Sequence, residues 1–439
     1  MLHRSLTLRQ LVITGIIMIQ PTAPMPLFGV VATEAKGHVV TAVLVAMVAM
    51  LFTAISYGRM ARAYPSAGSA YTYVGKELHP AFGFVTGWSM LMDYVLNPVI
   101  CTIWCSKAAG NVLPHIPYGL WAFFFALLFT MLNVRRIEAS ARTNTILAGV
   151  MGCVVAWMLV ATAKFVAATP AVDWLRPFYD PATFSWATFS TGTSLAVLTY
   201  IGFDGISTLS EEVKDPRRNI LRGTVYTCLI IGALSAVQCY AAQLIWPGTE
   251  SFPDIDTAYV HIAGRAGGPW LFQAINLTLL VATVGSGMGA VMAGARLMYG
   301  MGRDHALPNR FFAALDPARG VPKNNVLLIG GLALAGAFAM SYQLGAELLN
   351  FGAFIGFMGV NLSALTRYWI RATDRRVTNL VPPILGFLIC LYLWLSLSMF
   401  AKIAGIAWLL VGLIAYSKWH AAHRAQRADS DSFGAPDGG

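Results

Sequence analysis

The sequence predicts an all-α membrane protein with twelve transmembrane helices. Three observations predict it. Of 439 residues, 57% are apolar or aromatic, about 250, and a spanning helix takes roughly 20 mostly apolar residues. Charged residues make up only 11%, against about 25% in a soluble domain. The apolar residues fall in long runs, not in the alternating segments of an outer-membrane barrel. The same composition excludes a soluble enzyme and a disordered chain. A net charge of +10 invites a nucleic-acid partner, but the basic residues cluster on no single element. They punctuate the apolar runs, so no nucleic acid is expected.

In chain order the runs place spans at 8–33, 39–57, 82–106, 117–133, 145–168, 188–210, 223–246, 269–295, 325–341, 346–366, 380–398 and 403–417. The first begins near Leu8 without a small-residue cleavage site behind a short core, so it reads as an uncleaved span. Midway it carries Gln20-Pro21-Thr22-Ala23-Pro24-Met25-Pro26. Prolines so close together break a helix, and freed backbone at that depth must line a cavity or be buried in protein. The third span carries Ser89, Asp93, Asn97 and Cys101, an i, i+4 stripe on one helix face. The sixth is interrupted by Gly202-Phe203-Asp204-Gly205, an acid between two glycines. The eighth holds Gly285-Ser286-Gly287-Met288-Gly289-Ala290. That string matches the GxGxxA of a dinucleotide loop but has no preceding strand, so it reads as close helix packing by small residues. Gly352–Gly356 in the tenth span reads the same way. Residues 1–420 form one domain, and the polar, Gly/Pro-rich stretch 421–439 is expected to be a disordered cytoplasmic tail.

Loop charges set the orientation. With the N-terminus inside, 24 of the 30 Lys and Arg fall in inside segments; the other six are Lys36, Lys107, Lys164, Arg176, Arg265 and Lys402. This positive-inside asymmetry places both termini in the cytoplasm and explains the net charge as a topology signal.

The interrupted spans are the first and the sixth. They lie five apart, and five is odd, so two five-helix halves, 8–168 and 188–366, would have opposite topology. Paired breaks of this kind point to an inverted-repeat transporter with a site at the membrane midplane; 380–417 then holds two extra helices. An ionised Asp at mid-bilayer costs about 2.5–3.5 kcal/mol on insertion scales, so Asp93 and Asp204 are expected to face the bundle interior and to bind substrate or carry a proton. Gln20 and Thr22 of the first break join them as candidate substrate contacts. Trp88 and Phe203 do so too, although aromatic residues in such places are more often packing residues. Glu211 and Glu212, with Arg217 and Arg218 nearby, are candidate gate charges; Glu211 lies seven residues past Asp204, about 10.5 Å along a helix. The six cysteines fall inside apolar runs and form no CxxC, and no His/Cys spacing suggests a metal. No cofactor is expected. An enzyme would need a nucleophile and base or clustered acids and histidines, and a channel would need a repeated filter; the chain shows neither pattern.

The chain resembles the amino acid–polyamine–organocation permeases, and nearest among them the bacterial putrescine importers, over about residues 5–420. The resemblance rests on Ile55-Ser56-Tyr57-Gly58 running into Tyr64-Pro65-Ser66-Ala67-Gly68-Ser69-Ala70-Tyr71-Thr72-Tyr73, and on Gly83-Phe84 with Gly87-Trp88 and Asp93-Tyr94. It rests equally on Gly202-Phe203-Asp204 with Leu209-Ser210-Glu211-Glu212 and Asp215-Pro216-Arg217-Arg218, and on Met301-Gly302-Arg303-Asp304 with Leu307-Pro308. It implies a LeuT-like fold of five-plus-five inverted repeats followed by two helices. It also implies a secondary transporter of the cytoplasmic (inner) membrane, embedded in lipid, that takes up a small amine or amino acid with a proton as coupling ion. Two departures bear on substrate and coupling. Amino-acid members often break span one with Gly-Ser/Thr-Gly, whose amides hold a carboxylate, whereas Pro21 and Pro24 offer no N–H. Some proton-coupled relatives carry a lysine midway along span five, where this chain has Met151.

Overall fold

The computed structural model describes residues 6–65, 69–135, 141–170, 172–209, 213–247, 251–303, 307–373 and 375–433. Among them the chain is helical throughout. The helices are α1 (Leu8–Ile19), α2 (Phe28–Glu34), α3 (Val39–Ala63), α4 (Ser69–Glu77), α5 (Pro80–Gly110), α6 (Tyr118–Val134), α7 (Ala141–Ala168) and α8 (Trp186–Ala196). They continue as α9 (Gly205–Thr208), α10 (Pro216–Ile245), α11 (Ala258–Arg303), α12 (Asn309–Phe312), α13 (Lys323–Ala339), α14 (Tyr342–Leu365), α15 (Val377–Leu395) and α16 (Met399–Phe433). Within the described residues seven helices are long and apolar enough to cross a membrane, and α1, α6 and α13 are shorter apolar helices.

Local chemistry sets the ends that matter. A reciprocal cap starts α1: the Thr7 hydroxyl accepts the Gln10 N–H at 3.4 Å while Gln10 Oε1 accepts the Thr7 N–H at 2.9 Å. The helix stops at Gln20, which takes a φ of 76° because Pro21 cannot continue it, and the direction resumes in α2. The run 188–210 is split likewise. A 3-10 turn, Val197–Tyr200, ends α8, and Gly202 turns the chain at φ 114°, a conformation that glycine reaches without a Cβ penalty. Both interruptions therefore stand where the sequence placed them.

The core is assembled around α5 and α14, which pack on each other, and around α3, which packs on α10. Before α1, Leu6 pairs with Val213, and the Lys214 N–H donates to Leu6 O at 2.9 Å. This short bridge ties the start of the first broken run to the end of the sixth.

Three features differ from the sequence expectation. The segment between the second and third spans, read as a loop, contains α4. The outer segment 247–268 is helical from Ala258 onward, and only Gly268, at φ 72° ahead of Pro269, kinks α11. Helix α16 continues to Phe433, so the tail boundary at 421 falls inside it; Ala421, Ala422, Arg424, Ala425, Gln426 and Arg427 are good helix formers that prolong a helix already nucleated.

Candidate functional site

The two breaks lie against each other. The Met18 methyl carbon fills the place of a Cβ on Gly205, and Ile19 Cγ1 sits 3.4 Å from the equivalent point on Gly202. The end of α1 thus rests directly on the second break, and a residue larger than glycine at 205 would displace the flexible tip of Met18. Two amide side chains hold the first break from other helices. Gln20 Nε2 donates to Ala282 O of α11 at 2.9 Å, and Gln238 Nε2 of α10 donates to Pro21 O at 2.9 Å.

Most backbone N–H groups of the first break are already used. Gln20 donates to Ile16 O at 2.9 Å, Ala23 to Gln20 O at 3.2 Å and Met25 to Thr22 O at 3.0 Å. Proline has no N–H at 21, 24 and 26. Thr22, itself buried, is left as the residue of 20–26 whose N–H has no acceptor among the described residues. The second break is similarly spent: Ile201 donates to Leu198 O at 3.3 Å, Phe203 to Tyr200 O at 3.3 Å and Gly205 to Gly202 O at 3.1 Å. The Gly202 N–H donates to Asp204 Oδ1 at 3.2 Å, and the amides of Asp204 and Gly205 also face that carboxylate.

Asp204 is therefore buried with its carboxylate folded over its own break. Asp93, from α5, is also buried and close enough to interact electrostatically with Asp204. Among the described residues the Asp93 carboxyl has no hydrogen-bond or ion-pair partner. The hydroxyls of Tyr57, Tyr73 and Tyr94 belong to the same electrostatic neighbourhood. Two buried acids in electrostatic contact, with no balancing basic side chain among the described residues, favour a bound cation or a shared proton.

The structure thus sets the Gln20 end of α1 against the break that carries Asp204, with Asp93 within electrostatic reach of Asp204 and Thr22 buried in the first break. It takes Trp88 elsewhere. That indole stacks on Trp408 of α16, with ring centroids 4.8 Å apart. The pair exchanges hydrogen bonds, Trp88 Nε1 to Trp408 O at 2.8 Å and Trp408 Nε1 to Trp88 O at 3.0 Å. These contacts make Trp88 a packing residue between α5 and α16. Phe203 lies on the second break, but its ring is wholly buried between Tyr57 and Phe357, at 5.5 and 5.4 Å. Glu211 and Glu212 lie outside the described residues.

Several polar links escaped the sequence. Asn97 Oδ1 accepts from the Cys101 thiol at 3.3 Å and from Ser286 of α11 at 3.5 Å, so the polar stripe on α5 meets the small-residue run of α11. Buried Glu77 accepts Arg367 Nη1 at 2.6 Å, Arg371 Nη1 at 3.2 Å and the Tyr64 hydroxyl at 2.7 Å. Gln343 Nε2 bridges Glu34 of α2 and buried Glu347 of α14, at 3.0 and 3.1 Å, and Ser398 also donates to Glu347. Glu347 stood one residue inside the tenth span, where an acid four residues after a glutamine was the available signal. At the same end Lys107 pairs with Asp254 at 3.2 Å and Asp256 at 2.6 Å. Burial pushes the Asp256 carboxyl up, against the pull of the Lys107 ammonium. These pairs hold segment 252–258 onto α5, and Ile255 O occupies the place of a Cβ on Gly29 of α2.

Comparisons with known proteins agree with this architecture. The amino acid permease family profile matches residues 25–427. The chain is 36% identical over 426 residues to the low-affinity putrescine importer PlaP of Escherichia coli K12, covering 94% of this chain and 93% of that one. It is 29% identical over 458 residues to the branched-chain amino acid permease BcaP of Lactococcus lactis subsp. cremoris, with 94% of each covered. It is 26% identical over 370 residues to the vacuolar cationic amino acid transporter 4 of Arabidopsis thaliana, over 78% of this chain and 60% of that one. These relatives are transporters and not enzymes. With its apolar helices, its paired breaks and a family match over most of its length, this chain is a multi-pass membrane protein that belongs to the amino acid permease family.

Proposed function

We propose that the protein is a secondary transporter of the bacterial inner membrane that imports a small amine, putrescine-like, by alternating access, with a proton as the coupling ion. In this proposal twelve spans form two inverted five-helix halves and two further helices, and both termini are cytoplasmic. The observation that carries the substrate class is the state of the two breaks. Their backbone amides are nearly all spent, and at the second break Asp204 occupies the amides that would otherwise hold a substrate carboxylate. What remains is negative: Asp93 and Asp204, buried and with no basic partner among the described residues. A diamine offers two ammonium groups to two acids.

The driving force fits. Entry of one positive charge against 100 mV, inside negative, gains about 2.3 kcal/mol. A dication gains roughly 4.6 kcal/mol, a concentration ratio of about 2,000 at 1.4 kcal/mol per decade. The similarity to a putrescine importer supports the same class. A second reading, an amino acid permease, is favoured by the unspent Thr22 amide and by the likeness to branched-chain amino acid permeases.

Uptake of labelled putrescine into proteoliposomes, competed by unlabelled diamines and by neutral α-amino acids, separates the two. Diamines are expected to compete and neutral amino acids to fail. The reverse pattern gives the amino acid permease reading. Uptake that is unchanged by a pH gradient removes the proton from the proposal.

A further inference from the structure

A groove runs between α7 and α10. Its walls are two helical stripes, Leu159, Ala163 and Val166 facing Val237, Tyr240 and Leu244, and its volume is about 440 Å³. Small residues, Ala163, Ala167 and Ala241, leave the space open. Trp174 closes its upper end, held by the Tyr240 hydroxyl, which donates to Trp174 O at 3.2 Å. Leu244 also lines a second cavity of about 180 Å³, so the two adjoin. That second cavity has a mixed lining: Val172, Pro177 and Pro247 beside the charged Lys36, Asp173, Arg176 and Asp180.

The pair of cavities straddles the place where α7 and α10 end, at Ala168 and Ile245. The connecting segment carries exposed Trp174, Tyr179 and Trp186. Aromatic residues of this kind mark the level of lipid headgroups. The apolar groove thus lies at hydrocarbon depth and the second cavity at headgroup depth.

The charges of the second cavity are unevenly satisfied. Asp180 accepts Arg176 Nε at 3.2 Å and the Ala182 N–H at 3.0 Å. Asp173 accepts the N–H groups of Leu175 and Arg176 at 3.0 and 3.1 Å. Lys36 has no ion-pair partner among the described residues. Its backbone is fixed, with φ 50° and a carbonyl that accepts the Thr183 hydroxyl at 3.1 Å. Lys36, on a fixed backbone, and Arg176, paired with Asp180, thus stand where this cavity meets the apolar groove.

The geometry points to a bound phospholipid, one acyl chain in the α7–α10 groove and the phosphate against Lys36 and Arg176. Lys36 lies just beyond α2, the second half of the broken first run. The lipid therefore joins that half-helix to α7 and α10. This inference rests on no part of the transport reading, and its test does not use transport.

The test uses the full-length protein from nanodiscs of mixed phosphatidylethanolamine and phosphatidylglycerol, released into mild detergent and weighed by native mass spectrometry. One phospholipid is expected to survive delipidation of the wild type. Lys36→Gln should reduce its retention about fivefold, the worth of one lysine at an anionic headgroup, and Lys36→Arg should keep it. Ala163→Trp, which fills the groove, should abolish retention, and Leu388→Trp, on the exposed face of α15, should leave it intact. Equal retention in all four variants means annular lipid only and overturns the site. So does a Lys36 effect without an Ala163 effect, and so does full displacement of the lipid by inorganic phosphate, which would make the cavity a soluble-anion site. A variant that loses its thermal transition is replaced by Arg176→Gln or Ala167→Trp, with the same expected losses.

Discussion

Asp204 combines two roles that substitution can separate. Its Oδ1 accepts the Gly202 N–H, and its charge adds to that of Asp93. Asp204→Asn keeps an oxygen for the amide and loses the charge. The variant is expected to fold and reach the membrane, and to lose at least about tenfold in uptake, roughly 1.4 kcal/mol, measured as labelled amine accumulated per unit of membrane protein. Wild-type uptake would remove Asp204 from the site. Trp88 gives the contrasting case. Trp88→Phe forfeits the hydrogen bond to Trp408 O, worth about 1 kcal/mol, and part of the indole stack. Its melting temperature should fall while the KM for uptake stays unchanged. A large rise in KM with an unchanged melting temperature would return Trp88 to the substrate.

Helix α4 shows how a short element can be locked to a long one. Glu77 is 2% exposed, and its two oxygens are met by Arg367 and Arg371 in and just beyond the π turn, Thr366–Ile370, that follows α14. The Tyr64 hydroxyl completes the shell. The arginines are 39% and 59% exposed, so solvent screens them and the buried carboxylate dominates the energetics. Removing one partner of a fully buried pair costs about 3–5 kcal/mol, an upper bound for Arg367→Gln. Arg371→Gln should cost under about 1 kcal/mol. Thermal unfolding in detergent measures both, and equal losses for the two would show that Arg367 holds no special place.

Across the whole molecule, the asymmetric distribution of Lys and Arg predicts a defined sidedness. Reporter fusions after residue 439 and within segment 247–268 are expected to report opposite sides of the membrane, with the C-terminus cytoplasmic. The same side for both would exclude the twelve-span order. The isolated pairing of Leu6 with Val213 and the seating of Gly205 on Met18 join the first and sixth runs at two depths. The two broken runs are thus packed against each other.

The all-helical, membrane-spanning character and the positions of both breaks were readable from residue order, because a bilayer demands long apolar runs and tolerates prolines, glycines and carboxylates only where something compensates them. Such rules act on single residues and local windows, so they survive without knowledge of the fold. Trp88 and Phe203 show where local rules stop: an aromatic side chain near a break can face the site or a neighbouring helix, and the packing of α16, Tyr57 and Phe357 settled both toward packing. Glu77 lies in a segment with no local signal for a buried acid, and α4 and the end of α14 bring two arginines to it from 290 and 294 residues away. The spent amides of the breaks were likewise invisible, since which N–H groups remain for a ligand depends on turns and on partners from distant helices such as Gln238. Depth in the membrane is written along the chain, whereas the direction a side chain faces and the partner it meets come from packing between helices remote in sequence.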